Sequence, residues 1–116
     1  MRNILFLMPL LLAACSNLSP AMPEDDESAL ALKIENEIAQ AKMDKDFRLY
    51  AFSGRRVTIP GLSREEADRA KTRCGTKFMP DSGDVIRTEQ QRLERRAKFD
   101  FASGYNRQMY RLCLGQ

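Results

Sequence analysis

Three segments of the chain carry apolar residues at helical spacing. The first begins at Ser28 and runs for about 15 residues, long enough for four helical turns. Its apolar positions are Leu30, Ile34, Ile38 and Ala41. Charged and amide side chains occupy most of the positions between them, so we expect an amphipathic helix with one face on a core.

The second helical segment is short and carries its own start signal. Ser63 followed by Glu66 is the spacing of a capping box, which satisfies free backbone NH groups at a helix N-terminus. The positions predicted to face inward hold the small residues Ala67, Ala70 and Cys74. Gly75 then predicts a left-handed turn that ends the helix.

The third segment is the longest and repeats the same start signal, with Thr88 followed by Gln91. Its apolar stripe consists of Leu93, Ala97, Phe101, Tyr105, Met109 and Leu112. This pattern predicts a long C-terminal helix, bent or split at Ser103-Gly104.

Between the first two helices the apolar spacing changes to that of strands. Residues 47–52 and 57–59 flank the turn-forming segment 53–56, which predicts an antiparallel hairpin. Residues 78–86 form either a second hairpin around Pro80-Asp81-Ser82-Gly83 or an irregular loop. We therefore expect a small single α+β domain, with short antiparallel hairpins packed against two or three helices. Both faces of the first strand carry aromatic side chains, so one face has to be covered by a helix or a partner.

The N-terminus has the pattern of an export signal. Arg2 is followed by an apolar run that starts at Ile4 and ends in small residues, and the run is short for a membrane span. Leu12-Ala13-Ala14-Cys15 resembles the lipobox of bacterial lipoproteins. The alternatives are an ordinary signal peptide with an incidental cysteine, and a buried N-terminal helix.

The lipobox resemblance implies a lipid anchor on the Cys15 thiol, with cleavage just before that residue. It divides the chain into a signal peptide at 1–14, a lipidated cysteine and flexible tether at 15–27, and a globular α+β domain at 28–116. In such lipoproteins an Asp after the cysteine favours the inner membrane, whereas this chain has Ser16. The resemblance therefore implies an outer-membrane protein with its domain in the periplasm.

The remaining cysteines are consistent with the same compartment. If Cys15 carries lipid, the mature chain keeps Cys74 and Cys113, an even pair in an exported protein. We expect a disulfide between them, which would close the fold and stabilise a small domain. The alternatives are two separate buried thiols and a redox pair, although the chain has no C-x-x-C motif.

Composition excludes many kinds of catalytic site. The 116 residues include no His, no Trp and only three Cys, so triads and metal sites that need His are absent. The chain is 43% hydrophobic and 30% charged, which suits one folded domain rather than a disordered chain. Asp81 and Asp84 are too few oxygen ligands for a calcium loop, and turn chemistry explains them. We predict no cofactor and no metal.

Charge is divided unevenly along the chain, whose overall net charge is +3. Residues 24–46 contain more acidic than basic side chains. The basic residues after residue 47 are mostly arginine, which binds phosphate and carboxylate in a bidentate manner. The candidate partner-binding residues are Arg55, Arg56, Arg92, Arg95 and Arg96. The alternative is that these arginines pair with the acidic N-terminal segment of the same chain.

These patterns predict function by elimination. We expect a small non-enzymatic lipoprotein, held to the membrane through Cys15, that binds an anionic envelope component or a protein through its arginines. The alternative is a binding module for a small ligand or a cell-wall fragment. A third hypothesis is an enzyme with an undetected carboxylate site. Nucleic acid is not an expected partner, because the export signal separates the protein from it.

Overall fold

A computed structural model of the chain describes residues 25–115. Helix α1 spans Asp25–Asp44, strand β1 Leu49–Ala51, helix α2 Arg64–Arg73, strand β2 Thr76–Phe78 and helix α3 Glu89–Leu114. The fold is thus a small α+β domain with three helices and a two-stranded sheet. Cys15, the predicted signal peptide and most of the predicted tether lie outside the described residues, and α1 begins three residues before the expected start of the domain.

The helix starts follow the sequence signals. Both capping boxes are present, with the Ser63 side chain accepting from the Glu66 NH and the Thr88 side chain accepting from the Gln91 NH. Gly75 has a φ of +82°, so the predicted left-handed turn after α2 is confirmed.

Helix α3 runs through Ser103-Gly104 as one helix, so the predicted break does not occur. The glycine has a packing role instead, because a Cβ on Gly104 would lie 2.5 Å from Ile34 Cδ1 of α1. Its missing side chain lets the two helices approach closely.

The prediction of antiparallel hairpins is wrong for the sheet. Strands β1 and β2 pair in parallel, with Leu49 opposite Thr76 and Ala51 opposite Phe78. Helix α2 connects them and carries the chain back to the starting edge, as a parallel pair requires. The expected first hairpin is reduced to a single antiparallel bridge between Phe52 and Thr58.

The second expected hairpin is also absent. Residues 76–78 pair with β1, and the NH of Met79 continues this pairing to the Ala51 carbonyl at 2.8 Å. Residues 79–88 are turns and irregular chain in which Val85 and Ile86 are exposed. The irregular-loop alternative is therefore the one observed.

The core lies where β1 crosses the second half of α3. Its largest fully buried side chains include Leu49, Phe52, Tyr105 and Met109, and Ile34 and Ile38 of α1 pack on the same cluster. Both faces of β1 are covered within the chain, since Tyr50 contacts Tyr105 with ring centroids 4.9 Å apart.

The apolar stripe of α3 is buried only in part. Phe101, Tyr105 and Met109 are buried, whereas Leu93 keeps 53% of its surface exposed. The first three turns of α3 contain no buried residue.

A buried amide connects α3 to the rest of the fold. The Asn106 side chain accepts a hydrogen bond from the Tyr50 NH and donates to the carbonyls of Tyr50 and Pro60. These bonds satisfy the backbone NH and carbonyl of Tyr50 on the edge of β1 that does not pair with β2.

The expected disulfide is present between Cys74 and Cys113, whose Cα atoms are 5.9 Å apart. It connects the end of α2 to the last turn of α3. The two cysteines are 39 residues apart, so the bond closes a long loop. Among the described helices none combines the length and hydrophobicity needed to cross a membrane.

Candidate partner-binding surface

The direction of each element brings four chain segments to one end of the molecule. Along β1, Tyr50 contacts Tyr105 and Phe52 contacts Phe99, so the strand and α3 run in opposite directions. The carboxyl ends of two parallel strands share one edge. Segments 53–57 and 79–88, which follow β1 and β2, therefore both lie beside the start of α3.

Helix α1 begins at this same end. Leu30 of α1 lines a groove together with Ala97 of α3, whereas Ala41, further along α1, lines a recess with Tyr105, further along α3. The two helices therefore run parallel. We call this end, formed by residues 53–57, 79–88 and 89–99 and by the first turn of α1, the arginine end.

Four of the five predicted arginines lie exposed at the arginine end. Arg55 and Arg56 occupy segment 53–57, and Arg92 and Arg96 share one side of α3, four residues apart. The side of α3 that carries them adjoins segment 53–57, because Phe99 stacks edge-on against Phe52 with centroids 5.7 Å apart. We call these four residues the arginine patch.

Arg95, the fifth predicted arginine, is turned inward. Its guanidinium lies 5.3 Å from the centre of the Phe52 ring, and Nη1 donates to the Ser82 carbonyl. Ser82 is itself buried, and its hydroxyl accepts a hydrogen bond from the Ser53 NH at 3.1 Å. Arg95 therefore connects α3 to both loops and has a structural role that the sequence did not indicate.

Among the described ion pairs, one involves a patch arginine. Arg92 pairs with Glu89 one turn earlier, on the exposed surface. None of the described ion pairs joins an acidic residue of α1, such as Asp26, Glu27 or Glu35, to an arginine. Helix α1 packs on the Phe101 and Gly104 side of α3, away from the patch.

Exposed apolar side chains surround the arginines. Val57 follows Arg56 and keeps 43% of its surface exposed, and Phe99 keeps 44%. Val85 and Ile86 of the loop after β2 are also exposed, with Val85 at 68%, and they line a recess of about 120 Å³ with Glu94 and Arg95. The arginine end thus combines guanidinium groups with exposed aliphatic side chains.

A separate apolar groove of about 340 Å³ lies between α1 and α3. Leu30, Tyr50, Met79 and Phe101 line it, and Lys33 and Lys98 are among its charged lining residues. The Lys98 ammonium donates to the Pro80 carbonyl at 3.1 Å and lies 3.7 Å from the Asp81 carboxylate. The aromatic groove therefore contains lysines and none of the predicted arginines.

Asp46 forms the strongest polar cluster, which the sequence analysis missed. Its carboxylate lies 2.8 Å from the Arg48 guanidinium and 3.2 Å from the Lys77 ammonium. The hydrogen bonds from Arg48, with a smaller contribution from Lys77, hold the pKa of Asp46 far below its usual value. An aspartate this acidic does not donate protons near neutral pH.

The tyrosines beside this cluster are also poor acid-base groups. Burial raises the pKa of Tyr105, and burial with the nearby Glu37 carboxylate raises the pKa of Tyr50. Lys77 lies over the Tyr50 ring at 4.8 Å. The cluster borders a recess of about 330 Å³ between α1 and the sheet, which Glu37 and Asp44 also line.

The two aspartates considered for metal binding do not form a ligand cluster. Asp81 adopts a turn conformation with a φ of +59° and pairs with Lys98. The part of the chain that the structure describes holds no group of three or more acidic or Cys side chains arranged to bind a metal.

No family model, no curated protein and no solved structure matches this chain.

Proposed function

We propose that the protein is a small non-enzymatic outer-membrane lipoprotein, anchored through Cys15, whose α+β domain binds an anionic envelope component through the arginine patch. The observation that carries this proposal is that Arg55, Arg56, Arg92 and Arg96 are all exposed, on two segments that come together where Phe52 contacts Phe99. Two separate chain segments contribute them, and no described acid of α1 pairs with them.

The chemistry of the patch favours an anionic partner. Guanidinium groups bind carboxylate and phosphate oxygens with two parallel hydrogen bonds, which an ammonium group cannot do. Phosphates of lipids, carboxylates of the cell wall and acidic protein surfaces all offer such oxygens. Exposed arginines suit a large partner better than a small molecule, which binds in concave sites.

The groove between α1 and α3 supports a second candidate function, binding of a small ligand or a cell-wall fragment. Its volume of about 340 Å³ lies at the lower end of the range for ligand sites. Because the arginines lie outside the groove, substitutions can separate the two functions.

The test is crosslinking and co-purification from intact envelopes, with the full chain as bait. We expect the fourfold variant Arg55→Gln, Arg56→Gln, Arg92→Gln, Arg96→Gln to lose its crosslinked partner while remaining folded, since exposed ion pairs contribute about 0 to 1 kcal/mol each. Association of the wild type should also weaken as salt concentration rises.

A matched control removes the same charge elsewhere. Lys42, Arg64, Lys71 and Arg107 are exposed basic residues outside the patch. Their fourfold replacement by Gln should leave the partner bound. Equal loss of the partner in both variants would show that net charge, and not the patch, controls binding. A variant in which Ala97→Trp fills the groove and alone removes the partner would favour the second candidate.

A further inference from the structure

The arginine end is also the end from which the polypeptide would continue towards a membrane anchor. Residue 25, where α1 begins, is ten positions after Cys15, and ten residues span at most about 35 Å in any conformation. A lipid on Cys15 would therefore confine the arginine end close to the bilayer. The opposite end, with Met43 and the disulfide, would lie further away by about the length of α1.

The side chains at this end suit an anionic bilayer. Arginines at an anionic lipid surface gain electrostatic attraction, and apolar side chains gain by entering the interfacial region. Val57 directly follows Arg56, and Ile86 directly precedes Arg87. Each loop therefore has an exposed aliphatic side chain next to an arginine in the sequence. Phe99 extends the same surface beside Arg96.

The acidic groups at this end are spread over α1, the loop after β2 and α3, and Asp84 and Glu94 share a recess with Arg95 and Lys98. Asp26 and Glu27 belong to α1, which packs on the Phe101 side of α3, whereas the patch adjoins Phe99. Glu89 is paired with Arg92 and Asp81 with Lys98. The domain can therefore turn its arginine side to the lipid phosphates while the acidic start of α1 faces away.

We infer that the anionic component bound by the arginine patch is the phospholipid surface of the membrane that holds the anchor, with Val57 and Ile86 entering the headgroup region. This inference rests on the proposed function, because the Cys15 anchor brings the patch to the bilayer. Tethering makes the second contact intramolecular, so a patch with weak affinity for lipid remains bound.

The absence of tryptophan provides a site-specific probe. The full chain, purified from membranes, is reconstituted in phosphatidylglycerol and phosphatidylcholine vesicles containing brominated lipid, which quenches indole fluorescence on contact. Separate variants carry Val57→Trp, Ile86→Trp or, as control, Met43→Trp. Met43 is 78% exposed at the far end of α1, compared with 43% for Val57 and 42% for Ile86, so weaker quenching of the control cannot result from greater burial.

We expect several-fold stronger quenching for Val57→Trp and Ile86→Trp than for Met43→Trp. The difference should fall when salt is raised, when phosphatidylglycerol is omitted, or when Arg55, Arg56, Arg92 and Arg96 are replaced by Gln. Equal quenching of all three reporters, or quenching unaffected by the arginine substitutions, would overturn the inference.

The experiment distinguishes an incorrect anchor from an incorrect docked orientation. A chain that incorporates labelled fatty acid and stays in the vesicles, but shows equal quenching at all three positions, keeps the proposed anchor and loses the docked orientation. If the chain incorporates no fatty acid, the proposed anchor is wrong, and so is the inference that rests on it. A protein crosslinked to the patch in envelopes, with no position-dependent quenching, would identify an acidic protein surface as the partner.

Discussion

The buried side chain of Asn106 is hydrogen-bonded to two separate segments of backbone. It is fully buried and makes three hydrogen bonds, to the NH and carbonyl of Tyr50 and to the carbonyl of Pro60. Polar groups buried in this way are costly to leave without partners. Its contribution is therefore larger than that of an exposed amide.

We expect Asn106→Leu, which keeps the number and branching of the side-chain heavy atoms, to lower the free energy of unfolding by about 3 kcal/mol, because it leaves buried backbone groups unpaired. Urea denaturation of a soluble form that begins at Ser16 measures this. The exposed neighbour Gln108→Leu serves as the control and should change stability little. Equal effects of the two substitutions would contradict the structural role of Asn106.

Asp46 gives the fold a pH dependence at low pH. Its folded pKa lies below the unfolded value of about 4, so the ionised carboxylate stabilises the fold above that value. The stabilisation is lost as the pH falls through the folded pKa. We expect Asp46→Asn to cost about 1 kcal/mol at neutral pH, since the pair is partly exposed.

The difference in unfolding free energy between the wild type and Asp46→Asn should therefore be constant at neutral pH and shrink below about pH 4. Denaturation at a series of pH values measures it. Asp44→Asn, at an exposed position two residues earlier, is the control. A difference that stays the same down to the acid limit would show that the Arg48 and Lys77 contacts do not stabilise the carboxylate.

At the level of elements, the first half of α3 depends on a few contacts with loops. It contains no buried residue before Phe101, and Arg95, Lys98 and Phe99 contact the segments after β1 and β2. Arg95 is the only one of the three that contacts both loops, through the Phe52 ring and the Ser82 carbonyl.

Arg95→Ala should therefore release residues 82–88 and the first turns of α3. We expect faster amide hydrogen exchange there and a loss of about 1 to 2 kcal/mol in overall stability. Hydrogen exchange followed by mass spectrometry measures both regions. Arg96→Ala changes the adjacent exposed guanidinium and should leave exchange unaltered. Similar exchange in the two variants would contradict the difference in their roles.

The disulfide links the two helices that have few other contacts with each other. Replacing both Cys74 and Cys113 by Ser should lower the free energy of unfolding by about 2 to 5 kcal/mol, because the unfolded chain is no longer constrained. Mass spectrometry before and after reduction checks the bond itself, which removes two hydrogens. Full alkylation of the native, unreduced protein would contradict it.

At the scale of the whole molecule, all the elements adjoining the arginine patch meet at one end, and the α1 start lies there too. The position of the anchor therefore decides which surface faces the membrane. We expect wild-type protein to incorporate labelled fatty acid and Cys15→Ser to remain unprocessed by the lipoprotein pathway. Absence of label in the wild type would remove the anchor from the proposed function, whereas label in Cys15→Ser would place the lipid elsewhere.

Signals confined to a few neighbouring residues identified much of the fold. The capping boxes at Ser63 and Thr88, the left-handed Gly75 and the disulfide are all present as predicted. These features depend on spacing within one turn of helix, or on a cysteine count that left one pair. Tertiary contacts could change them little.

Features that depend on distant residues were decided only by the tertiary structure. Strand direction was mispredicted because Leu49 pairs with Thr76 across a helix, and nothing near either residue specifies its partner. Arg95 and Arg96 look alike in the sequence, yet only one meets the Phe52 ring. The same parallel pairing that the sequence did not reveal brings both loops to one end, because parallel strands finish at the same edge.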